Sequence, residues 1–185
     1  MILVLATSNQ GKIREIERAL DLPGLEFRSL QDFPDLPEVV EDGRTFLENA
    51  LKKARACAQA TGRAALADDS GLEVDCLNGA PGLYSARFSG AEATDETNNR
   101  KLLSLLGGIP EERRTARFVC QMVLYLPKGN WIQTEGFFPG IIAPGPQGEH
   151  GFGYDPVFYL PEFNKTMAEL PLEEKNRISH RAQAL

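Results

Sequence analysis

The sequence predicts an α/β protein with a mixed β-sheet flanked by helices, and three observations carry that prediction. A continuous apolar run, Ile2-Leu3-Val4-Leu5-Ala6, suits the middle of a sheet buried on both faces. A helical pattern follows at once, with Ile13, Ile16 and Leu20 spaced along one face. Later the period changes: over residues 115–126, Ala116, Phe118, Cys120, Met122, Leu124 and Leu126 alternate onto one face of a strand. Strands alternating with helices, then a strand-rich block, give an α/β class with a mixed sheet.

Taken in order, the first helix begins near Gly11 and stops before Pro23-Gly24, and residues 33–37 are loop. Thr45 opens a long helix with Phe46, Leu47, Ala50, Leu51, Ala54 and Ala58 apolar, and Gly62 ends it. Thr45 and Glu48 form a capping box. Residues 64–67 are a short buried strand, so Asp68 and Asp69 fall where it leaves the core. Past that acidic turn, residues 72–76 alternate like a half-buried strand, and Asn78-Gly79 turns. Residues 94–106 read as a helix ended by Gly107-Gly108. Residues 131–138 pair antiparallel with residues 115–126, residues 156–160 form another strand, and the chain from Leu172 is helical with a break near Ser179.

Length and composition narrow the function. The 185 residues suit one domain with room for two lobes and a proper core. A net charge of -6 disfavours a broad nucleic-acid surface, which needs a basic stripe, but leaves room for a small anionic ligand in a local cationic pocket. Cys57, Cys76 and Cys120 lack CxxC spacing and read as reduced core thiols of a cytoplasmic protein. The apolar start is too short for a signal peptide, and no run approaches the roughly 20 residues of a membrane span.

Asp68 and Asp69 are the most informative pair. Two adjacent carboxylates at a strand end repel and lose water unless a cation or proton neutralises them, and Mg²⁺ suits oxygen ligands of this kind. Asp69-Ser70-Gly71 is equally good turn chemistry. The run Thr7-Ser8-Asn9-Gln10-Gly11-Lys12, between first strand and first helix, offers helix amides and polar donors suited to a phosphate chain, or else an ordinary cap. It lacks the Walker pattern. Asn49 and Lys53 share a helix face and supply further donors, or form an exposed polar stripe. Glu41 precedes that helix and is a candidate third carboxylate. Gly151-Phe152-Gly153-Tyr154-Asp155 combines backbone access with an aromatic surface, and Lys175, Ser179, His180 and Arg181 cluster donors near a helix start. Lys128 and His150 read as surface residues, and no G-x-S-x-G elbow supports a covalent enzyme.

Six segments in order resemble the inosine triphosphate pyrophosphatase family, which hydrolyses non-standard purine nucleoside triphosphates such as ITP, dITP and XTP. They are Thr7-Ser8-Asn9-Gln10-Gly11-Lys12, Thr45-Phe46-Leu47-Glu48-Asn49-Ala50, Ala67-Asp68-Asp69-Ser70-Gly71-Leu72, the run Gly79-Ala80-Pro81-Gly82-Leu83-Tyr84-Ser85-Ala86-Arg87, Gly151-Phe152-Gly153-Tyr154-Asp155-Pro156 and Ile178-Ser179-His180-Arg181. The resemblance implies an elongated α/β fold over residues 1–185, with two lobes and a central nucleotide cleft. It also implies a homodimeric, Mg²⁺-dependent hydrolase that releases pyrophosphate and a monophosphate.

Carried over by motif, Thr7, Ser8, Asn9, Gln10, Gly11, Lys12 and Lys53 would hold the triphosphate. Asp69 would be catalytic and a metal ligand, with Asp68 beside it and Ser70 touching substrate. Glu41 would be the second metal carboxylate, with Glu38 the alternative. Phe152, Gly153, Tyr154, Asp155, Lys175, His180 and Arg181 would recognise a 6-keto purine. Relatives often carry Gly-Gly before Phe-Gly-Tyr-Asp where this chain has His150-Gly151, a change of loop shape. A pyrophosphatase for other modified nucleotides would keep the phosphate residues and differ in the base loop. A non-catalytic nucleotide-binding module would be expected to lack the acid at position 69, which this chain retains.

Overall fold

In the computed structural model, which describes residues 1–185, strand β1 (Ile2–Leu5) pairs in parallel with both β2 (Glu26–Ser29) and β3 (Ala64–Val74). A strand paired along both edges and covered on both faces requires the uninterrupted apolar run. The chain continues through helices α1 (Gln10–Ala19), α2 (Phe46–Thr61) and α3 (Asp95–Leu105). Strands β4 (Thr115–Tyr125), β5 (Trp131–Ile142), β6 (Phe158–Leu160) and β7 (Lys165–Thr166) follow, then helices α4 (Leu172–Ile178) and α5 (His180–Ala184). All seven strands join one sheet in the order β2-β1-β3-β4-β5-β6-β7. The β5–β6 and β6–β7 pairs are antiparallel, so the sheet is mixed, as predicted. No helix is long and apolar enough to cross a membrane.

The chain forms two compact units. The first comprises Met1–Asp69, Cys120–Gly136 and Arg181–Leu185; the second comprises Ser70–Val119 and Phe137–His180. In the first, strand alternation sorts side chains into two apolar clusters. Val4, Ala65, Ala67, Val123 and Tyr125 pack with Ala50, Ala54, Cys57 and Ala58 of α2. Leu3, Leu5, Leu66, Cys120 and Met122 pack with Ile13 and Ile16 of α1 and with Ala184 of α5. Adjacent strand residues point to opposite faces, so α2 covers one side of these strands while α1 and α5 cover the other. In the second unit, Leu72 and Val74 of β3 meet Leu102 of α3, Phe118 of β4, Ile142 of β5 and Phe158 of β6 in a single cluster.

Several strand expectations change, and β5 runs on to Ile142 beyond the expected end at residue 138. Strand β3 does not end at the acids but runs on through Asp68, Asp69, Ser70 and Gly71 to Val74. Strand β2 is an addition to the expected elements, because Glu26 and Arg28 break its apolar pattern; it lies at the sheet edge, where charges discourage stray pairing. Strand β4 is buried on both faces beyond Phe118, with Val119, Val123 and Tyr125 buried as well as Cys120 and Met122, while Leu126 lies outside the strand and exposed. The strand expected over residues 156–160 begins only at Phe158, because Asp155–Val157 forms a 3-10 turn around Pro156, which has no N–H to give a ladder.

Helix α2 shows how local chemistry and tertiary demand combine. Thr45 caps it, its hydroxyl accepting from the Glu48 amide at 3.1 Å, and Gly62 closes it at φ 65°. The expected capping box is only half formed: the Glu48 carboxylate accepts from the Arg44 amide at 2.7 Å rather than from Thr45.

Candidate active site

The residues after β1 form the N-terminus of α1. Asn9 is the cap, its Oδ1 accepting from the Gly11 amide at 2.8 Å and the Lys12 amide at 3.1 Å, and Thr7 Oγ1 accepts from the Asn9 amide at 3.1 Å. Thr7 and Asn9 therefore shape the turn, while Ser8 and Gln10 are exposed. The first turn of α1 carries no acid, so its partial positive charge is not cancelled locally. Lys12 turns inward, with Nζ 3.0 Å from Asp68 Oδ2.

Because β3 continues through them, Asp68 and Asp69 project to opposite faces, and each meets its own partners. Asp68, 1 % exposed, lies on the face of α1 and α5. Its Oδ2 accepts from Arg181 at 2.9 Å and pairs with Lys12. Arg181, itself fully buried, also donates to Glu15 of α1. Burial would raise the Asp68 carboxyl, but Lys12, Arg181 and Lys53 outweigh it and hold the group well below the usual carboxylate range. The second oxygen of Asp68, Oδ1, is buried with no hydrogen-bond partner in the protein.

Asp69, 7 % exposed, faces α2. Its Oδ2 accepts from Asn49 Nδ2 at 3.0 Å, and its Oδ1 lies 3.5 Å from Lys53 Nζ. Asn49 and Lys53, one turn apart, are thus buried ligands of Asp69 rather than a solvated stripe. The Asn49 amide is itself oriented, its Oδ1 accepting from the Gly43 amide at 2.7 Å. A Cβ on residue 43 would come within 2.5 Å of that oxygen, so only glycine fits this approach. Lys53 Nζ also lies 3.2 Å from Glu41, and Glu38 is exposed. Burial would lower the Lys53 ammonium, but Asp69, Asp68 and Glu41 outweigh it and hold it above its usual value. Burial pushes Asp69 up; Lys53, Lys12 and Asn49 oppose the shift, Glu41 adds to it, and the net direction is upward. Two neighbouring carboxylates are therefore driven apart: Asp68 is fixed as an anion, and Asp69 is the one with affinity for a proton.

These groups also meet the chemistry of a divalent cation. No three His, Cys, Asp or Glu side chains cluster as a complete metal cage. Mg²⁺ does not need one, since it binds through one or two carboxylates and completes its shell with water and phosphate oxygens. Asp69 and Glu41, both bordering Lys53, form an oxygen-only pair that suits such an ion.

In the second unit the predicted base-recognition residues form their own network. Lys175 is buried, with Nζ 2.5 Å from Asp155 Oδ2 and 4.8 Å from the Phe152 ring centroid. Asp155 Oδ2 also accepts from the Phe152 amide at 2.8 Å. Gly151, at φ 78°, packs so closely on Asp155 that a Cβ there would lie 2.0 Å from its carboxylate, so glycine is required. The Tyr154 hydroxyl donates to the Ser85 carbonyl at 2.8 Å. His180 stacks on Phe118, with ring centroids 4.7 Å apart. Ser70, the residue after Asp69 on β3, is half-buried.

The Ham1 family model matches residues 3–185. The chain belongs to the Ham1 family. It is 58% identical over 185 residues to the dITP/XTP pyrophosphatase of Geobacter sulfurreducens, covering 99% of this chain and 92% of that one. It is 55% identical over 185 residues to the dITP/XTP pyrophosphatase of Desulforamulus reducens, covering 100% and 92%. Among solved structures it resembles the Staphylococcus aureus Ham1 protein, at TM-score 0.87 and 44% identity over 100% of this chain and 94% of the other. The Coxiella burnetii HAM1 protein gives TM-score 0.89 at 42% identity, with the same coverage.

Within this Ham1 chain, sequence reasoning passes over Glu15, whose partner Arg181 lies 166 positions away. A lone acid at an inward-facing helical position, next to Ile16, is the one signal that marks it. Asp95 and Asn99 are passed over as well: they read as ordinary residues of the first turns of α3, yet both bond Gly153.

Proposed function

We propose that this chain is a nucleoside triphosphate pyrophosphatase acting on non-standard purine nucleotides, namely ITP, dITP and XTP, to give the monophosphate and pyrophosphate. The observation that carries the reading is the Asp69 carboxylate, buried, oriented by Asn49 at 3.0 Å and raised in proton affinity beside Lys53. Such a group accepts a proton from a water attacking the α-phosphorus. The new bond joins the water oxygen to that phosphorus, the bond to the bridging oxygen breaks, and pyrophosphate leaves. Lys12, Lys53 and the amides at the start of α1 supply fixed positive charge for the triphosphate and the departing group. Asp69 and Glu41 would hold Mg²⁺, which when bound lowers the pKa of water and screens phosphate charge.

The base is assigned to Phe152, as a stacking surface, and to donors including Lys175. Donors favour the 6-keto acceptor of hypoxanthine and xanthine and leave the 6-amino group of adenine without an acceptor. Arg181, assigned by motif to the base, also donates to Asp68 and Glu15, and those bonds support the strand that carries Asp69. Family resemblance supports a homodimer, and three unpaired cysteines support the cytoplasm as its compartment.

Incubation with Mg²⁺ and each of ITP, XTP, dITP, ATP and GTP tests the reading. The expected result is pyrophosphate plus monophosphate from the first three and little from ATP or GTP. Orthophosphate as the first product, or equal turnover of ATP, would contradict it.

A further inference from the structure

We infer that Asn99, assisted by Asp95, is a positioning residue that clamps the Gly153 peptide and thereby sets the Phe152 ring against Lys175. The inference rests on the proposed base-recognition role of that loop and extends it to residues with no predicted part in recognition.

The two residues lie one turn apart on α3 and grip Gly153 from both sides. Asn99 Nδ2 donates to the Gly153 carbonyl at 2.9 Å, and Asp95 Oδ2 accepts from the Gly153 amide at 2.7 Å. Gly153 sits at φ 64°, a left-handed conformation that points these two backbone groups where α3 reaches them. On one side of Gly153, Phe152 is tied through its amide to Asp155, which also binds Lys175. On the other, Tyr154 reaches the Ser85 carbonyl, and the neighbouring Asn98 donates to that same carbonyl at 3.3 Å. Helix α3 therefore holds the loop directly through Asn99 and Asp95, which act on the residue next to the aromatic ring, while Asn98 fixes the Ser85 and Ala86 carbonyls beside it.

The chemistry of Asn99 argues that stability is not its purpose. With Nδ2 committed to Gly153, its Oδ1 is buried with no partner in the protein, and the residue is 8 % exposed. Leaving an acceptor unsatisfied in the core is unfavourable, and a leucine of nearly the same shape would not incur that loss. An asparagine here makes physical sense for its single bond to Gly153. Local order at a binding loop is then obtained at some expense to the packing beneath it.

The test compares Asn99→Leu with wild type in three measurements: Tm, amide hydrogen exchange over residues 150–155 without nucleotide, and steady-state kinetics with ITP and ATP. Asn99→Leu is expected to match or exceed wild type in Tm and to exchange faster across the loop. Its KM for ITP should rise about tenfold, as for loss of one part-buried hydrogen bond, with kcat within about threefold and weaker preference for ITP over ATP. Asn99→Asp, which keeps the shape but presents an acceptor to the Gly153 carbonyl, should reproduce the kinetic defect. Asp95→Asn, which retains an acceptor for the Gly153 amide, should behave as wild type, and Asp95→Ala should not. A folded Asn99→Leu protein with unchanged exchange and unchanged KM would overturn the inference, as would a loss confined to Tm. If wild type turns over none of the purine triphosphates, the proposed function fails and the specificity role with it. Faster exchange in Asn99→Leu would then still uphold the clamp.

Discussion

Asp69→Asn is expected to lower kcat by about 10²–10⁴-fold while leaving the protein folded, the usual scale for removing a positioned general base. The substitution is nearly isosteric and keeps an acceptor for Asn49, whose own amide stays fixed by Gly43. Lys53 keeps Glu41 at 3.2 Å, so no buried ammonium is stranded. Asp69 has its proton affinity raised in the folded state, first by burial and then by Glu41, against the pull of Lys53, Lys12 and Asn49. An acid raised on folding weakens the fold as pH rises through its unfolded value and toward its folded one, so its ionised form is a net burden near neutrality. Asp69→Asn should therefore show a Tm equal to or above that of wild type at pH 7–8. Activity within tenfold of wild type would remove Asp69 from the chemistry, and a large fall in Tm would make its role structural.

Arg181→Met is expected to give the largest loss of stability, about 3–5 kcal/mol, because it removes a buried cation that donates to two buried carboxylates. Glu15 and Asp68 are 3 % and 1 % exposed, and Arg181 donates to both. For a chain of this length the loss corresponds to a fall in Tm of roughly 6–20 °C. Arg181→Lys should recover only part of it, since an ammonium lacks the planar fork that reaches two carboxylates at once. Its pH dependence has a definite sign. Asp68 is held low in the folded state, where burial is outweighed by Lys12, Arg181 and Lys53, so its contribution is present above its unfolded value and fades as pH falls. The gap in stability between wild type and Arg181→Met should be full at pH 6–8 and narrow below about pH 4, where carboxylates in the unfolded chain begin to protonate. Chemical denaturation at pH 7 and pH 4 measures it; a gap that widens in acid would contradict the assignment.

Elements whose local chemistry agrees with their tertiary role are legible in the sequence. Residues Ile2–Leu5 have to be a central strand, and α2 declares both ends through Thr45 and Gly62. Strand β3 is misleading at its centre because Asp69-Ser70-Gly71 is good turn chemistry by itself. What keeps it extended is charge supplied from distant segments, with Lys12 and Arg181 on one face and Asn49 and Lys53 on the other. That same alternation gives each aspartate its own hydrogen-bond partners, since neighbours on a strand face apart, while Lys12 and Lys53 act on both charges. Strand β2 is hidden because its exposed edge tolerates the charges that erase an apolar signature. The Glu15–Arg181 pair and the grip of Asn99 on Gly153 join residues far apart in sequence, and no local pattern encodes such contacts.

The most direct test of the mechanism is turnover of ITP by wild-type protein with Mg²⁺ in water enriched in ¹⁸O, followed by mass analysis of both products. Water attack at the α-phosphorus places one ¹⁸O in the inosine monophosphate and none in the pyrophosphate, which is the predicted result. Label in the pyrophosphate, or labelled orthophosphate as the first product, would mean attack at another phosphorus and would contradict the role of Asp69 as the base for attack at the α-phosphorus.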